Sequence, residues 1–167
     1  AIGWFQGKME FGPRALGGRS IIGDPRSHEM QKKLNLKVKF RESFRPFAPA
    51  VLLEDLREWF DLESESPYML LVGKVNKSKL IQQTTDQKSV KGLEKLDIIR
   101  SEIPAVTHVD DTARIQTVTA ENGIYFDLLK KFKDKTGCPI IVNTSFNIRG
   151  EPPVNTPIDA YKCFMAT

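Results

Sequence analysis

A chain of 167 residues, 40% apolar and 28% charged, is long enough to bury one full core and has the balance of a globular domain rather than a disordered one. Its net charge of +4 tolerates an anionic ligand without demanding nucleic acid, and its apolar runs are too short to span a membrane. Two cysteines, Cys138 and Cys163, give neither a disulfide framework nor a metal-ligand spacing, which fits a reducing, cytoplasmic setting.

The start, Ala1-Ile2-Gly3-Trp4-Phe5, has neither the basic segment nor the long apolar stretch of a signal peptide. The chain opens without Met and stops at Cys163-Phe164-Met165-Ala166-Thr167 inside an apolar pattern, so both ends are expected to be cut from a longer polypeptide. Residues 1–25 are glycine-rich, and Pro13 is placed to open a short helix at its first position. Ser27 is expected to cap a helix that carries Met30 and Leu34 on one face. Residues 47–53 read as a buried strand, Leu56, Trp59 and Phe60 fall at helical spacing, and Tyr68 to Val72 reads as an apolar strand. Residues 73–102 differ in composition, with Lys74, Lys77, Lys79, Lys88, Lys91 and Lys95 set among Gln, Ser and Thr. That segment reads as an exposed insertion with a solvated charge run and a short helix around Val90–Leu96.

Ala105–Val109 and Ala113–Val118 alternate about Asp110-Asp111-Thr112, the pattern of a β-hairpin with a three-residue turn. Tyr125, Leu128, Leu129 and Phe132 form a helical stripe that Gly137 closes, and Pro139–Asn143 reads as a buried strand. Thr156 caps a last helix, with Pro157 at its first position, Asp159 near the positive end of the dipole, and Ile158, Tyr161 and Met165 as its apolar face. Mixed strands and helices without an internal repeat place the chain in the α/β (α+β) class as one domain over residues 1–167.

Chemistry-bearing residues gather in a few places. Arg41-Glu42-Ser43-Phe44-Arg45-Pro46-Phe47-Ala48-Pro49 follows Lys37-Val38-Lys39, so four cations fall within nine residues beside aromatic rings and two prolines. Proline stiffens the backbone, and a guanidinium fork held on a stiff backbone grips oxyanions bidentately. Asn143-Thr144-Ser145-Phe146-Asn147 follows an apolar strand, the place where ligands sit in open sheets, although a polar turn is the plainer reading. His108, Arg114 and Gln116 project together if the hairpin register aligns them; a solvated sheet face is the plainer reading there. The glycine-rich run from Gly7 to Gly17 could turn backbone N–H groups toward an anion, yet it matches neither the dinucleotide fingerprint nor the P-loop. Nucleophilic catalysis has little support, since Cys138 lies at a helix-to-strand turn and only His28 and His108 exist to activate it.

Taken in order, Gly7-Lys8-Met9-Glu10-Phe11-Gly12-Pro13-Arg14-Ala15-Leu16-Gly17, Phe44-Arg45-Pro46-Phe47-Ala48-Pro49, Thr107-His108-Val109-Asp110 with Ala113-Arg114, and Asn143-Thr144-Ser145-Phe146-Asn147 make the chain resemble the C-terminal part of the NodU/CmcH-type carbamoyltransferases. The resemblance covers nearly the whole chain. It implies a YrdC-like domain: a twisted mixed β-sheet with flanking helices and a concave ligand-binding face. The family's Lys-x-Arg and Ser-x-Asn motifs look like Lys39-Phe40-Arg41 and Ser145-Phe146-Asn147.

By that resemblance the domain makes carbamoyl adenylate from carbamoyl phosphate and ATP, with Mg2+ accompanying the nucleotide. The carbamoyl group is then transferred by an N-terminal actin-like domain of the same polypeptide, which would hold iron or another metal. The complete transfer is not expected of this chain alone, which has no counterpart of those metal ligands. Lys39, Arg41, Arg45 and Arg114 are the implied catalytic cations. His108, Asn143, Thr144, Ser145, Asn147, Arg14 and Phe47 are the implied substrate-binding residues, and no metal ligand is assigned. A homodimer is allowed. The competing reading is a YrdC-like module for tRNA or double-stranded RNA, against which stand the small net charge and the lack of an aromatic-interleaved basic stripe.

Overall fold

The computed structural model describes residues 1–167, the side chains of Lys88 and Leu93 excepted. Strands β1 (Ile2–Phe5), β2 (Arg19–Gly23), β3 (Ala48–Leu52), β4 (Phe60–Asp61), β5 (Leu71–Val75), β6 (Thr112–Val118) and β7 (Ile140–Ser145) form one seven-stranded sheet. Their spatial order is β1-β2-β7-β3-β6-β5-β4, and every neighbouring pair is antiparallel except β3 and β6. The helices are α1 (His28–Lys37), α2 (Leu56–Trp59), α3 (Thr85–Ser89), α4 (Ile124–Thr136) and α5 (Pro157–Met165). The fold is therefore a mixed α/β sheet with helices packed on it.

The centre of the sheet is dry on both faces, because the side chains of successive residues alternate between them. Ala50 and Leu52 pack with Ile141 and with Tyr125 and Leu129 of α4. Val51, Ile140 and Val142 face the other way and pack with Leu34 of α1 and Cys163 of α5. Gly137 ends α4 in the left-handed conformation, at φ 73°, and donates its N–H to Lys133 O. Thr156 and Asp159 form a reciprocal capping box at the start of α5.

Several expectations change. Pro13 opens no helix: residues 11–14 are bends. The loop is instead wrapped around the Glu10 carboxylate, whose Oε1 accepts from the N–H groups of Leu16 (2.7 Å), Gly18 (2.7 Å) and Arg19 (3.3 Å). The glycine-rich first block also supplies β1 and β2, which its lack of apolar alternation concealed. The hairpin does not form. Pro104–Val106 is a 3-10 turn buried in the core, and β6 finds its partners in β3 and β5 instead.

The strand expected at Tyr68–Val72 runs from Leu71 to Val75, because Met69 takes a left-handed turn, φ 56°, in a tight turn closed by Met69 N–H on Ser66 O. Around Val90–Leu96 the helix divides into α3 and a 3-10 turn over Gly92–Asp97, with Gly92 at φ 68°. On α5 the expected apolar face points outward. Ile158, Tyr161 and Met165 are about two-thirds exposed, and Cys163 is the buried residue. Within residues 73–102 many side chains are exposed, while Gly73, Val75, Arg100 and Ser101 are buried and Leu80 bridges to Ser101.

One close approach locks the 10–18 loop onto the body. Gly17 has φ 108°, and a Cβ there would stand 2.6 Å from the Tyr125 ring. Its carbonyl accepts the Trp4 indole N–H at 2.7 Å. Gly17→Ala is expected to cost about 1–3 kcal/mol, read as a thermal midpoint lowered by several degrees.

Candidate functional site

The last turn of α1 carries a buried amide that shapes everything after it. Asn35 is fully buried, and its Nδ2 donates to Ser43 O (3.0 Å) and Arg45 O (2.7 Å). Its Oδ1 accepts from Arg41 Nε at 2.6 Å. One side chain thus fixes both the path of the 41–45 loop and the direction of Arg41. The Arg41 guanidinium lies 4.9 Å from the Phe47 ring centre, a cation–π distance. Between Lys39 and Arg41 the chain reverses at Phe40, a left-handed residue at φ 44°. The reversal sends Lys39 into the interior and leaves Arg41 on the surface of a cleft.

Lys39 Nζ meets four oxygens: Ser145 O (2.6 Å), Ser145 Oγ (3.3 Å), Asn147 O (3.0 Å) and Asn147 Oδ1 (2.8 Å). The Lys-x-Arg and Ser-x-Asn motifs are therefore in direct contact. Burial, with Arg41 adding repulsion, pulls the Lys39 ammonium down to about 8. Ser145 Oγ donates to Asn147 Oδ1 at 2.6 Å, and Asn147 Nδ2 donates to Glu151 O at 2.7 Å. Asn143 Nδ2 donates to Ala15 O (2.9 Å) and Gln116 Oε1 (2.7 Å), while Gln116 Nε2 donates to Leu16 O (2.9 Å). The neutral donors of Asn143, Ser145 and Asn147 are thus committed inside the protein, where they hold loops in place.

Charge is left to face the cleft. A cavity of about 550 Å³ is lined by Arg14, Arg41, Arg45 and Arg114, with His108, Phe47, Asn143, Thr144 and Ser145, and no carboxylate lines it. Arg114 sits on β6, and Arg14 is carried by the Glu10-centred loop. The Nε atoms of Arg14 and Arg114 are buried without a partner in the protein. Burial first, then the neighbouring cation, lowers both Arg114 (beside Arg14) and Arg41 (beside Arg45) from the ordinary guanidinium value. His108 is half-buried with its Nδ1 3.2 Å from Thr112 Oγ1, and desolvation lowers its pKa against the pull of Asp110.

Lys39 and Asn147 do not line this cavity. They line a neighbouring one of about 280 Å³ that shares Arg41, Arg45, Thr144 and Ser145 and adds Arg149 and Glu42. The catalytic and substrate-binding residues implied by the resemblance therefore gather around two adjoining clefts, whereas Gln116 is fully buried and lines neither. Around the glycine-rich loop the anion that backbone amides meet is an internal one, the Glu10 carboxylate, which accepts from Leu16, Gly18 and Arg19. Sequence reasoning missed Asn35, Glu10 and Arg149. A polar residue in the last turn of a helix, six residues before an arginine, was the one signal for Asn35. The cysteines stay outside the chemistry: both are buried, and burial pushes the Cys138 thiol up to about 11. No group of three His, Cys, Asp or Glu side chains among the described residues could hold a metal ion, and no described helix is long and apolar enough to cross a membrane.

The cleft is walled by guanidinium groups, with no carboxylate among the described residues that line it, and the domain that holds it is a mixed α/β fold. The chain belongs to the carbamoyltransferase C-terminal family, whose pattern, described as "Carbamoyltransferase C-terminus", matches residues 1–167. It is 59% identical to an uncharacterized protein of Synechocystis over 99% of this chain and 27% of that protein. It is 44% identical to nodulation protein NolNO of Sinorhizobium fredii over 99% of this chain and 22% of the relative. Its identity to the 3'-hydroxymethylcephem-O-carbamoyltransferase of Streptomyces clavuligerus is 36%, over 95% of this chain and 26% of that enzyme. The chain thus spans about a quarter of the length of the curated relatives it matches.

Asn35→Ala removes the amide that satisfies two loop carbonyls and Arg41. It is expected to cost about 1–3 kcal/mol and to weaken inorganic phosphate or pyrophosphate binding, both readable by calorimetry. Lys39 gives a pH signature. Its native value of about 8 lies below the 10.5 of a free lysine, so the native state releases this proton first. Over that window the unfolded chain binds more protons, and the contribution of Lys39 to stability rises with pH. An anion held beside Lys39 is expected to bind less tightly as the pH passes about 8 and the ammonium loses its charge. Lys39→Met should flatten both trends.

Proposed function

We propose that this domain binds carbamoyl phosphate and ATP and forms carbamoyl adenylate, for transfer by another part of a longer polypeptide. The observation that carries the reading is the cleft lined by four arginines and no carboxylate, in a member of a carbamoyltransferase family. A reaction among phosphates asks the protein for position and positive charge rather than for a nucleophile. In the first step water takes the phosphoryl group, the bridging C–O–P linkage is cleaved at phosphorus, and carbamate and phosphate result. A carbamate oxygen then bonds to the α-phosphorus of ATP as the bond to pyrophosphate breaks.

In this scheme Arg41 and Arg45, which line both cavities, bridge the reacting phosphates. Arg114 and Arg14 hold the far side of the larger one. Lys39 acts through Ser145 and Asn147, fixing the end of β7 against the arginine loop. His108, neutral near pH 7 by the direction of its shift, orients a phosphate or the carbamoyl group. Among the described residues no group of three His, Cys, Asp or Glu side chains forms a metal cage, and a Mg2+ brought with ATP would take its oxygens from phosphate and water. The transferring domain lies in the larger remainder of proteins like the relatives, of which this chain spans about a quarter.

The test is carbamoyl-phosphate-dependent exchange of labelled pyrophosphate into ATP. Arg41→Ala is expected to lower exchange about 100-fold by removing a charge from the transition state. Ser145→Ala is expected to lower it about tenfold by loosening Lys39, a loss of the order of one hydrogen bond to a charged group. Exchange left intact in both folded variants would sink the assignment.

A further inference from the structure

β1 is one edge of the sheet and β4 is the other. The β4 edge is guarded in the usual ways, being only Phe60–Asp61 long and carrying a carboxylate. β1 is not guarded: it reads Ile2-Gly3-Trp4-Phe5, without a charged residue or a proline. Gln6 N–H on Gly18 O (2.8 Å) sets the phase of its ladder with β2. Ile2 and Trp4 therefore bond inward, and Gly3 and Phe5 turn their N–H and C=O groups outward. Those outward groups have no partner among the described residues. Beside this edge lies a groove of about 180 Å³, lined by buried Leu34 and Phe146 and by exposed Ile2 and Phe164. Gly3 lets the Phe146 ring lie against the strand, since a Cβ there would stand 2.7 Å from it. From Phe164 the exposed apolar surface continues along α5 through Tyr161, Met165 and Ile158. No residue of this groove lines the arginine cleft.

We propose that the outer edge of β1 receives an extended strand from elsewhere in a longer polypeptide, with alternate side chains of that strand lying in the groove and against Phe164. A row of outward N–H and C=O groups is satisfied by an extended segment, and strand addition is the general way a free edge is filled. Every second side chain of such a strand faces the same side, so the segment carries apolar residues at alternate positions. Lys33 and Lys37 line the groove and favour a segment that also bears a carboxylate. Length points to the source. The chain spans 22–27% of the relatives it matches, so in a polypeptide of their length most residues lie outside it. A tethered strand acts at an effective concentration of about millimolar, which a second copy free in solution does not reach. The inference shares with the proposed function only the longer polypeptide and does not depend on what the arginine cleft binds.

The experiment is hydrogen exchange, resolved to single amides, on the full-length polypeptide that carries this chain. The Gly3 and Phe5 amides are expected to exchange about 100-fold or more slowly than unprotected ones. Phe164→Asp is expected to speed them about tenfold, the scale of one apolar side chain losing its cover. Trp4, which bonds to β2, stays protected in both proteins and reports that the domain is folded. If Phe164→Asp exposes Trp4 as well, Tyr161→Ser, at a side chain already exposed, takes its place. Free exchange at Gly3 and Phe5 in the unaltered protein overturns the proposal, and so does protection that the folded variant leaves unchanged. Protection lost on dilution, together with a halved mass by light scattering, assigns the edge to a second copy and overturns it too. Inorganic phosphate binding is measured on the same samples, since its absence removes the carbamoyl-phosphate reading and not this one.

Discussion

The Lys39 ammonium lies among oxygens of Ser145 and Asn147, and the geometry of both clefts follows from that junction. It ties the end of α1 to the end of β7, segments 106 residues apart in the chain. A buried cation without a carboxylate partner is expensive unless its hydrogen bonds are filled. Here the oxygens that fill them are those whose positions define the site. Removing Lys39 would leave carbonyls unsatisfied, and removing Ser145 or Asn147 would leave the ammonium poorly solvated. The two motifs therefore act as one unit, and neither side can move without the other.

The arginines make a different compromise. Arg14, Arg41, Arg45 and Arg114 converge without an acidic residue in the cleft, and the lowered values of Arg41 and Arg114 express the desolvation and repulsion this entails. The protein holds them in place by other means. Asn35 binds Arg41 through its Nε, and Asn143 with Gln116 anchors the loop that bears Arg14. A neutral amide holds Arg41 without neutralising it, whereas Arg45 stands 3.9 Å from the Glu42 carboxylate and is partly paired. An anion entering such a site relieves repulsion already built into the folded state, so ligand binding and stability are coupled by mass action.

Local chemistry was legible in the sequence where the signal was itself local. The stripe on α4, its glycine cap and the capping box of α5 lie within one or two turns of the residues that reveal them. The convergence of Lys39 with Ser145 and Asn147 was legible only through the resemblance, since no periodicity links positions so far apart. Pairing was not legible: β6 alternates like half a hairpin, but its partners are β3 and β5. On α5, periodicity placed Ile158, Tyr161 and Met165 on one face without saying that the sheet covers the other, where Cys163 lies. Asn35, Glu10 and Arg149 carried no pattern, because a single polar side chain acquires its meaning from the loop that arrives beside it.

The position of β7 has a consequence for how the protein comes into being. It is the last strand in sequence, yet it lies between β2 and β3, which do not pair with each other. Until residues 140–145 arrive, the β1–β2 ribbon and the strands beyond β3 have no shared ladder, and the Ser145 and Asn147 oxygens that receive Lys39 are absent. On a ribosome the cationic loop is made roughly a hundred residues before its partners, and at about 5–20 residues per second it waits about 5–20 seconds. During that interval the arginines belong to an open, unassembled surface. The non-local pairing of the central strand makes assembly of the cleft a late, loop-closure-limited event rather than an early one.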